Sequence, residues 1–397
     1  MTYTIKTRRL TLLFIALVSL AGSFAIIFST RWYPWAYSDS TVYIVSARTF
    51  LEGGGLGFYA PSGTFERLVH HPPLYPLSLS ACGLFGIDLL FAARWLNVTL
   101  FGATIFTIGA FTYRLLHSPW LAIILSVCIL IMPPMVDVFS GAMSEPLFIF
   151  TAALGTFLLL HFLETNQRQY LILAASAAGL AFLTRYIGVF AIATGLIALL
   201  IFNPIAGKKR FANLVIFGAT SILPNAVWWL YVYIHTASLG ARQLNTGADI
   251  WNSSIELRQL LMELFWSWLP FSGNMVYSYD KSRNILIALF LIILVSLGFA
   301  LWKQWKSRQA IRQYHPEFAY VTVWCLFSIG YLAFFAYSFI FTTPHPDLTR
   351  RTLLPLEFSL LIVLLSTAFL LLKVLHLPNW YNLVPITLML VYPLANL

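Results

Sequence analysis

Charge is scarce in this chain. Of 397 residues, only 10% are Asp, Glu, Lys or Arg, against roughly 25% in a soluble globular protein. A soluble fold of this length cannot hide the 59% that are apolar. A bilayer can, because lipid takes the place of water around the helices. Cysteine is scarce too. Cys82, Cys128 and Cys325 lie in or beside apolar runs, which excludes a disulfide framework and gives no metal-ligand spacing. Long polar stretches are missing, so no separate soluble domain is expected. Repeats of fixed period and low-complexity segments are missing as well. The net charge is +10, yet no basic run looks like a nucleic-acid patch, so the excess reports on membrane topology. Gly53-Gly54-Gly55 lacks the following Lys of a phosphate-cradling loop and reads instead as the end of a helix.

What is present is a series of apolar runs of spanning length. The first, from Leu10 to about residue 30, follows Lys6, Arg8 and Arg9. It is too long for the apolar core of a signal peptide and reads as an uncleaved first span. Further runs centre on 91–113, 119–138, 146–163, 170–188, 189–203, 212–234, 285–302, 318–341, 353–373 and 379–397. The fold class expected is an all-α polytopic membrane protein of about eleven spans. The segment 72–90 is apolar but opens on two prolines. If it does not cross, 13 basic and only two acidic residues fall on the N-terminal side of the membrane. The short connectors 204–211 and 303–317 then become cytoplasmic, as the bias of Lys and Arg toward the inside requires. Segment 72–90 is therefore read as a juxtamembrane helix. One membrane domain over 1–397 is expected, with outer loops at 31–90, 236–284 and 342–352.

Candidate chemistry gathers on the outer side. In Tyr37-Ser38-Asp39-Ser40, Ser38 or Asp39 suits a helix N-cap, with a helix over 40–52. Asp39 either caps that helix or stands at the membrane surface as a general base. His70 and His71 precede two prolines, which fix an extended backbone. They read as a polar turn or, less readily, as part of a metal site. Asp137 and Glu145 sit at the outer ends of spans. Arg185 lies in a mainly apolar stretch and needs an anionic partner: one of those acids, or a lipid phosphate that pairs with its parallel donors. Arg350 and Arg351 stand on the outer side against the usual charge bias. They call for a phosphate, or for pairing with Asp347 and Glu357.

Together these features resemble the polyprenyl-phosphate-sugar-dependent glycosyltransferases of the GT-C superfamily, in particular the bacterial mannosyltransferase-like and aminoarabinose-transferase-like enzymes. The resemblance is carried by Asp39 with Tyr43, Ala47-Arg48 and Gly53-Gly54. It continues through His71-Pro72-Pro73-Leu74-Tyr75-Pro76-Leu77, Leu84-Phe85-Gly86, Ala93-Arg94, Ser144-Glu145, Leu183-Thr184-Arg185-Tyr186, and Arg351 with Leu353-Leu354-Pro355-Leu356. It implies that Asp39 is the catalytic carboxylate and that 72–86 is a juxtamembrane helix. Family members often carry a second acid beside the first; here Ser40 takes that place. The expected reaction is inverting transfer of a sugar from a polyprenyl phosphate to an acceptor hydroxyl. Arg185, Arg350, Arg351 and His71 would hold the phosphate, with His70, Tyr43, Asp137 and Glu145 in support. The expected partners are the lipid-linked donor, a lipid, glycan or protein acceptor, and membrane lipids, with no nucleic acid. No cofactor is called for, and a divalent metal stays open. The expected setting is the cell membrane, N-terminus inside and site outside. The competing class is a secondary transporter or lipid flippase, but the two related halves common in transporters are not seen.

Overall fold

The computed structural model describes residues 5–60, 62–202, 207–236, 243–244, 247, 250–257, 316–343 and 349–374. The helices are α1 Ile5–Ser29, α2 Ser38–Leu51, α3 Leu74–Gly83, α4 Leu89–Leu116, α5 Pro119–Leu130, α6 Pro133–Ser140, α7 Glu145–Thr165, α8 Arg168–Thr184, α9 Val189–Phe202, α10 Lys208–Thr236, α11 Pro316–Phe341 and α12 Arg350–Val374. Two short antiparallel pairs accompany them, which the all-α reading did not include. Strand β1 Gly57–Tyr59 pairs with β2 Phe65–Arg67, and β3 Gln243–Leu244 pairs with β4 Thr342–Thr343.

Among the described residues six helices are long and apolar enough to cross a bilayer: α1, α4, α7, α10, α11 and α12. The bent pair α5–α6 makes a seventh if it is counted as one span. The chain is thus a multi-pass membrane protein, while the expected eleven spans are not all seen. The runs at 285–302 and 379–397 lie outside the described residues. Those at 170–188 and 189–203 are α8 and α9, of 17 and 14 residues. At 1.5 Å per residue both fall short of a ~30 Å hydrocarbon layer.

Helix α7 is the central span: 78% of its apolar window is buried, against 33% for α1 and 28% for α10. The latter two turn apolar faces outward, with Leu13, Leu17 and Phe24 exposed on α1 and Leu223, Val227 and Leu230 on α10. Lipid is the solvent these faces suit. An aromatic cluster joins α7, α11 and α12, with Phe157 and Phe358 both packed on fully buried Trp324. Helix α10 contains Pro224 and packs tightly on α8. A Cβ on Gly179 would lie 2.8 Å from the Ser221 carbonyl oxygen, so the two backbones touch as small residues allow.

The segment 72–90 does not cross. Helix α3 has ten residues, about 15 Å, and lies against α2, where Ser80 Oγ donates to the Ala47 carbonyl at 3.1 Å. The expected span 119–138 is broken instead. Helices α5 and α6 meet at an angle of 56°. Pro133 and Pro134 cause this: they suit the first turn of a new helix but cannot continue the old one.

The ends of the spans differ in chemistry. Arg351 lies in the first turn of α12 and Lys373 near its other end, 22 residues or about 33 Å away along the axis. At the Lys373 end, Lys373 pairs with Glu317 and His161 Nδ1 lies 3.4 Å from Glu164. At the Arg351 end lie α2, α3 and the acidic and basic residues described next.

Candidate active site

Helix α2 starts at Ser38, with Tyr37 as its N-cap rather than Ser38 or Asp39. Ser40 Oγ accepts from the Tyr37 backbone N–H at 3.0 Å. The capping work falls to Ser40, so the Asp39 carboxylate is free for another partner. Beyond Glu52 the chain reverses at Gly53, whose φ of +82° suits glycine. The glycines therefore end this helix, as the sequence suggests.

The partner of Asp39 is 312 residues away. Arg351 Nη2 donates to Asp39 Oδ2 at 2.9 Å. Arg351 was expected in a loop but lies in the first turn of α12, which begins at Arg350. Its helix end is fixed by Tyr331, whose hydroxyl donates to the Thr352 carbonyl. The guanidinium also stacks on the Tyr37 ring, 4.9 Å from its centre.

Glu145 ties this pair to a second arginine. Its Oε1 lies 3.2 Å from Arg351 Nε and 2.7 Å from Arg185 Nη1. Glu145 is 1% exposed. Its Oε1 and Arg351 Nε make no well-aligned hydrogen bond, so these contacts act mainly through charge. Two carboxylates face two guanidiniums, and a buried charge survives only when compensated in this way.

Arg185 is placed by a break in the chain. Helix α8 ends at Thr184, Arg185 is extended, and a single 3₁₀ turn over Tyr186–Gly188 leads into α9. The Gly188 N–H donates to the Arg185 carbonyl at 2.8 Å. A Cβ on Gly188 would lie 2.6 Å from the backbone of Ala181, so only glycine lets the turn close.

A neutral hydrogen-bonded arm extends from the ion cluster. Arg185 Nη1 donates to Ser144 Oγ at 3.2 Å, and Ser144 Oγ donates to Glu145 Oε2 at 3.4 Å. Tyr43 lies 3.0 Å from Ser144 Oγ and 3.2 Å from His71 Nδ1. With the Ser144 proton on Glu145, Tyr43 donates to Ser144 and accepts from His71 Nδ1–H. That assignment leaves His71 Nε2 as an acceptor. Burial keeps the arm uncharged: it pushes the Tyr43 phenol well above its usual range and lowers His71 to about 4.

His71 thus stays neutral where an unfolded chain would be protonated. Stability associated with it is complete above pH 6.5 and is lost as pH falls from 6.5 to 4, up to about 3 kcal/mol. The thermal midpoint of the purified protein is expected to fall over that window. In His71→Gln the fall should be smaller; an identical pH profile would exclude His71 as its source.

Six of the residues singled out in the sequence converge: Asp39, Tyr43, His71, Glu145, Arg185 and Arg351. The others do not. His70 is exposed and outside the network. Asp137 is exposed on α6, where its charge acts on the Tyr37 hydroxyl. Arg350 opens α12, but its side chain lies outside the described residues, as does Asp347. Glu357 is buried in α12. Sequence reasoning gave no role in the site to Tyr37 or to Ser144. Their signal was adjacency alone: each stands within two positions of an acid. Among the described residues no group of three or more His, Cys, Asp or Glu could hold a metal ion.

Residues 70–228 match the family described as dolichyl-phosphate-mannose-protein mannosyltransferase. No curated protein matches the chain in sequence. In fold the chain is similar to ArnT from Cupriavidus metallidurans, solved bound to undecaprenyl phosphate, with TM-score 0.54 and 13% identity over 89% of this chain and 59% of that one. It is similar also to the oligosaccharyltransferase of Archaeoglobus fulgidus in the apo form, with TM-score 0.52 and 14% identity over 98% of this chain and 55% of that one. The protein O-mannosyltransferase complex Pmt1-Pmt2 of S. cerevisiae, bound to the sugar donor, matches at TM-score 0.46 and 16% identity over 60% of this chain and 35% of that one. The chain spans between about a third and three fifths of these structures' lengths. The resemblance to the GT-C glycosyltransferases thus holds in the sequence of residues 70–228 and, against the first two, in the fold.

Proposed function

We propose that the protein is a membrane glycosyltransferase of the cell membrane. It moves a sugar from a polyprenyl-phosphate-sugar to an acceptor hydroxyl on the outer face, with inversion. The observation that carries this reading is Arg351, held between Asp39 and Glu145 while Glu145 also holds Arg185. The undecaprenyl phosphate bound in the ArnT structure supports the same donor class.

The chemistry follows from the charges. Asp39 and Glu145 balance Arg185 and Arg351 before substrate arrives. The donor adds one negative charge, its phosphodiester. As the acceptor oxygen bonds to the anomeric carbon, its proton passes to Asp39. The bond from that carbon to the phosphate oxygen breaks, and the electron pair stays on the phosphate, now a dianion. Asp39, once neutral, no longer holds Arg351. The guanidinium it releases can follow the charge to the leaving group, where charge grows most. Arg185 is the second phosphate contact. Neutral His71 suits a sugar or acceptor hydroxyl better than a phosphate, because Nε2 is an acceptor. In this reading the N-terminus is cytoplasmic, which places the basic connectors inside.

Purified protein reconstituted in lipid should release free polyprenyl phosphate from a radiolabelled polyprenyl-phosphate hexose when acceptor is supplied. Movement of the intact donor across the bilayer without cleavage would replace this reading with the flippase. Arg185→Ala should weaken donor binding by about 10- to 100-fold, the worth of a charge-assisted hydrogen-bonded contact. Unchanged donor affinity in that variant would remove Arg185 from the phosphate site.

A further inference from the structure

The mechanism leaves unused a pair of aromatic rings beside Asp39. Trp35 is 40% exposed. Its ring stands 4.9 Å from that of Tyr37, tilted by 39°. Tyr37 in turn lies under the Arg351 guanidinium that holds Asp39. Trp35, Tyr37, Arg351 and Asp39 therefore form one continuous series of contacts, and its outer end is an aromatic face.

This face is held more firmly than a surface loop requires. The Trp35 N–H donates to the Ser140 carbonyl at 3.3 Å, and the Trp35 carbonyl accepts from the Ala142 N–H at 2.9 Å. Gly141, between them, is itself held by Asn97 Nδ2 at 2.5 Å. At the other end the Tyr37 N–H is fixed on Ser40. The chain reaches this clamp through Tyr33, whose φ of +137° is unfavourable for a residue with a side chain. Trp32 and Tyr33, just before it, are 79% and 68% exposed. They suit the ordinary aromatic belt at a membrane interface. Trp35 differs from them in its clamp and in its contact with the site.

We infer that Trp35 and Tyr37 form a stacking shelf for a pyranose ring, positioning it against Asp39. The inference rests on the transferase reading above. The C–H groups on one face of a pyranose are weakly positive, and an aromatic face is negative, so the two pack face to face while the sugar hydroxyls stay hydrated at the rim. The ring belongs either to the sugar being transferred or to a sugar of the acceptor. The chemistry of the shelf is the same for both.

Binding separates these sources. The ligands are a radiolabelled polyprenyl-phosphate hexose and bare polyprenyl phosphate, measured on the full chain in lipid nanodiscs. If the donor sugar occupies the shelf, Trp35→Ala should bind the phosphohexose about 10-fold more weakly, the worth of one aromatic stacking contact. Bare polyprenyl phosphate should bind it as it binds the parent protein, which also shows that the variant is folded. Trp35→Phe should restore most of the affinity, and Trp32→Ala should change neither ligand. If the acceptor sugar occupies the shelf, both donor affinities hold. Saturation-transfer signals from methyl α-glycopyranosides, recorded with bare polyprenyl phosphate bound, then disappear in Trp35→Ala. Equal loss of both lipid ligands, or no change in either arm, overturns the shelf. A parent protein that binds bare polyprenyl phosphate but no phosphohexose overturns the transferase reading, and the glycoside arm still decides on the shelf.

Discussion

Asp39→Asn is expected to lower sugar transfer by about 10²- to 10⁴-fold, the range for loss of a general base. The substitution keeps the shape and one acceptor oxygen for Arg351 while removing the charge and the basicity. Oδ2 is engaged by Arg351 at 2.9 Å, whereas among the described residues Oδ1 meets only Ser38 Oγ, at 3.5 Å. An acceptor hydroxyl therefore has a free carboxylate oxygen to approach. Donor binding should change much less than turnover, since the phosphate contacts are the arginines. The measurement is release of free polyprenyl phosphate by variant and parent inserted at equal levels. Transfer within about threefold of the parent would sink the assignment of Asp39, because the lost step is worth far more.

Much of this architecture was legible in the sequence, for identifiable reasons. Composition gives the membrane, since few charges and long apolar runs leave no other solvent. Charge bias and the family resemblance both put 72–90 at the surface, and α3 is too short to cross. The break in 119–138 is legible in principle, because Pro133-Pro134 cannot continue a helix. The turn at Arg185 was harder to see, because Gly188 is required only once α8 and α9 are folded against each other. The site was legible as a set of residues and not as a network. Pairing of Asp39 with Arg351 joins the two ends of the chain, and no local periodicity encodes it. The sequence offers Glu145 as one possible partner of Arg185. That it lies buried and serves two arginines follows from the packing of α7, α8 and α12 around it. Tyr37 and Ser144 have no role assigned from the sequence because an isolated hydroxyl or ring carries no signal until its neighbours are known.

Glu145→Gln is expected to have the second large effect, of a different kind. Glu145 touches both guanidiniums, and the glutamine has its size without its charge. Removing that charge leaves Asp39 on Arg351 and takes away the carboxylate that Arg185 touches. Breaking a buried ion pair typically costs about 3–5 kcal/mol, so the ligand-free variant should unfold at a lower temperature. The same uncompensated charge should attract a phosphate more strongly. Bare polyprenyl phosphate, the product, should then raise the thermal midpoint of Glu145→Gln more than that of the parent, because a ligand stabilises by its affinity for the folded state. Product affinity about 10-fold higher corresponds to about 1.4 kcal/mol. Turnover should fall together with the apparent KM for donor, since a product held too tightly delays the next cycle and ground-state attraction does nothing for the barrier. Lower turnover with a raised KM would mean that Glu145 acts chiefly by holding the arginines in place. A midpoint unaffected by polyprenyl phosphate in both proteins would detach this charge cluster from the phosphate altogether.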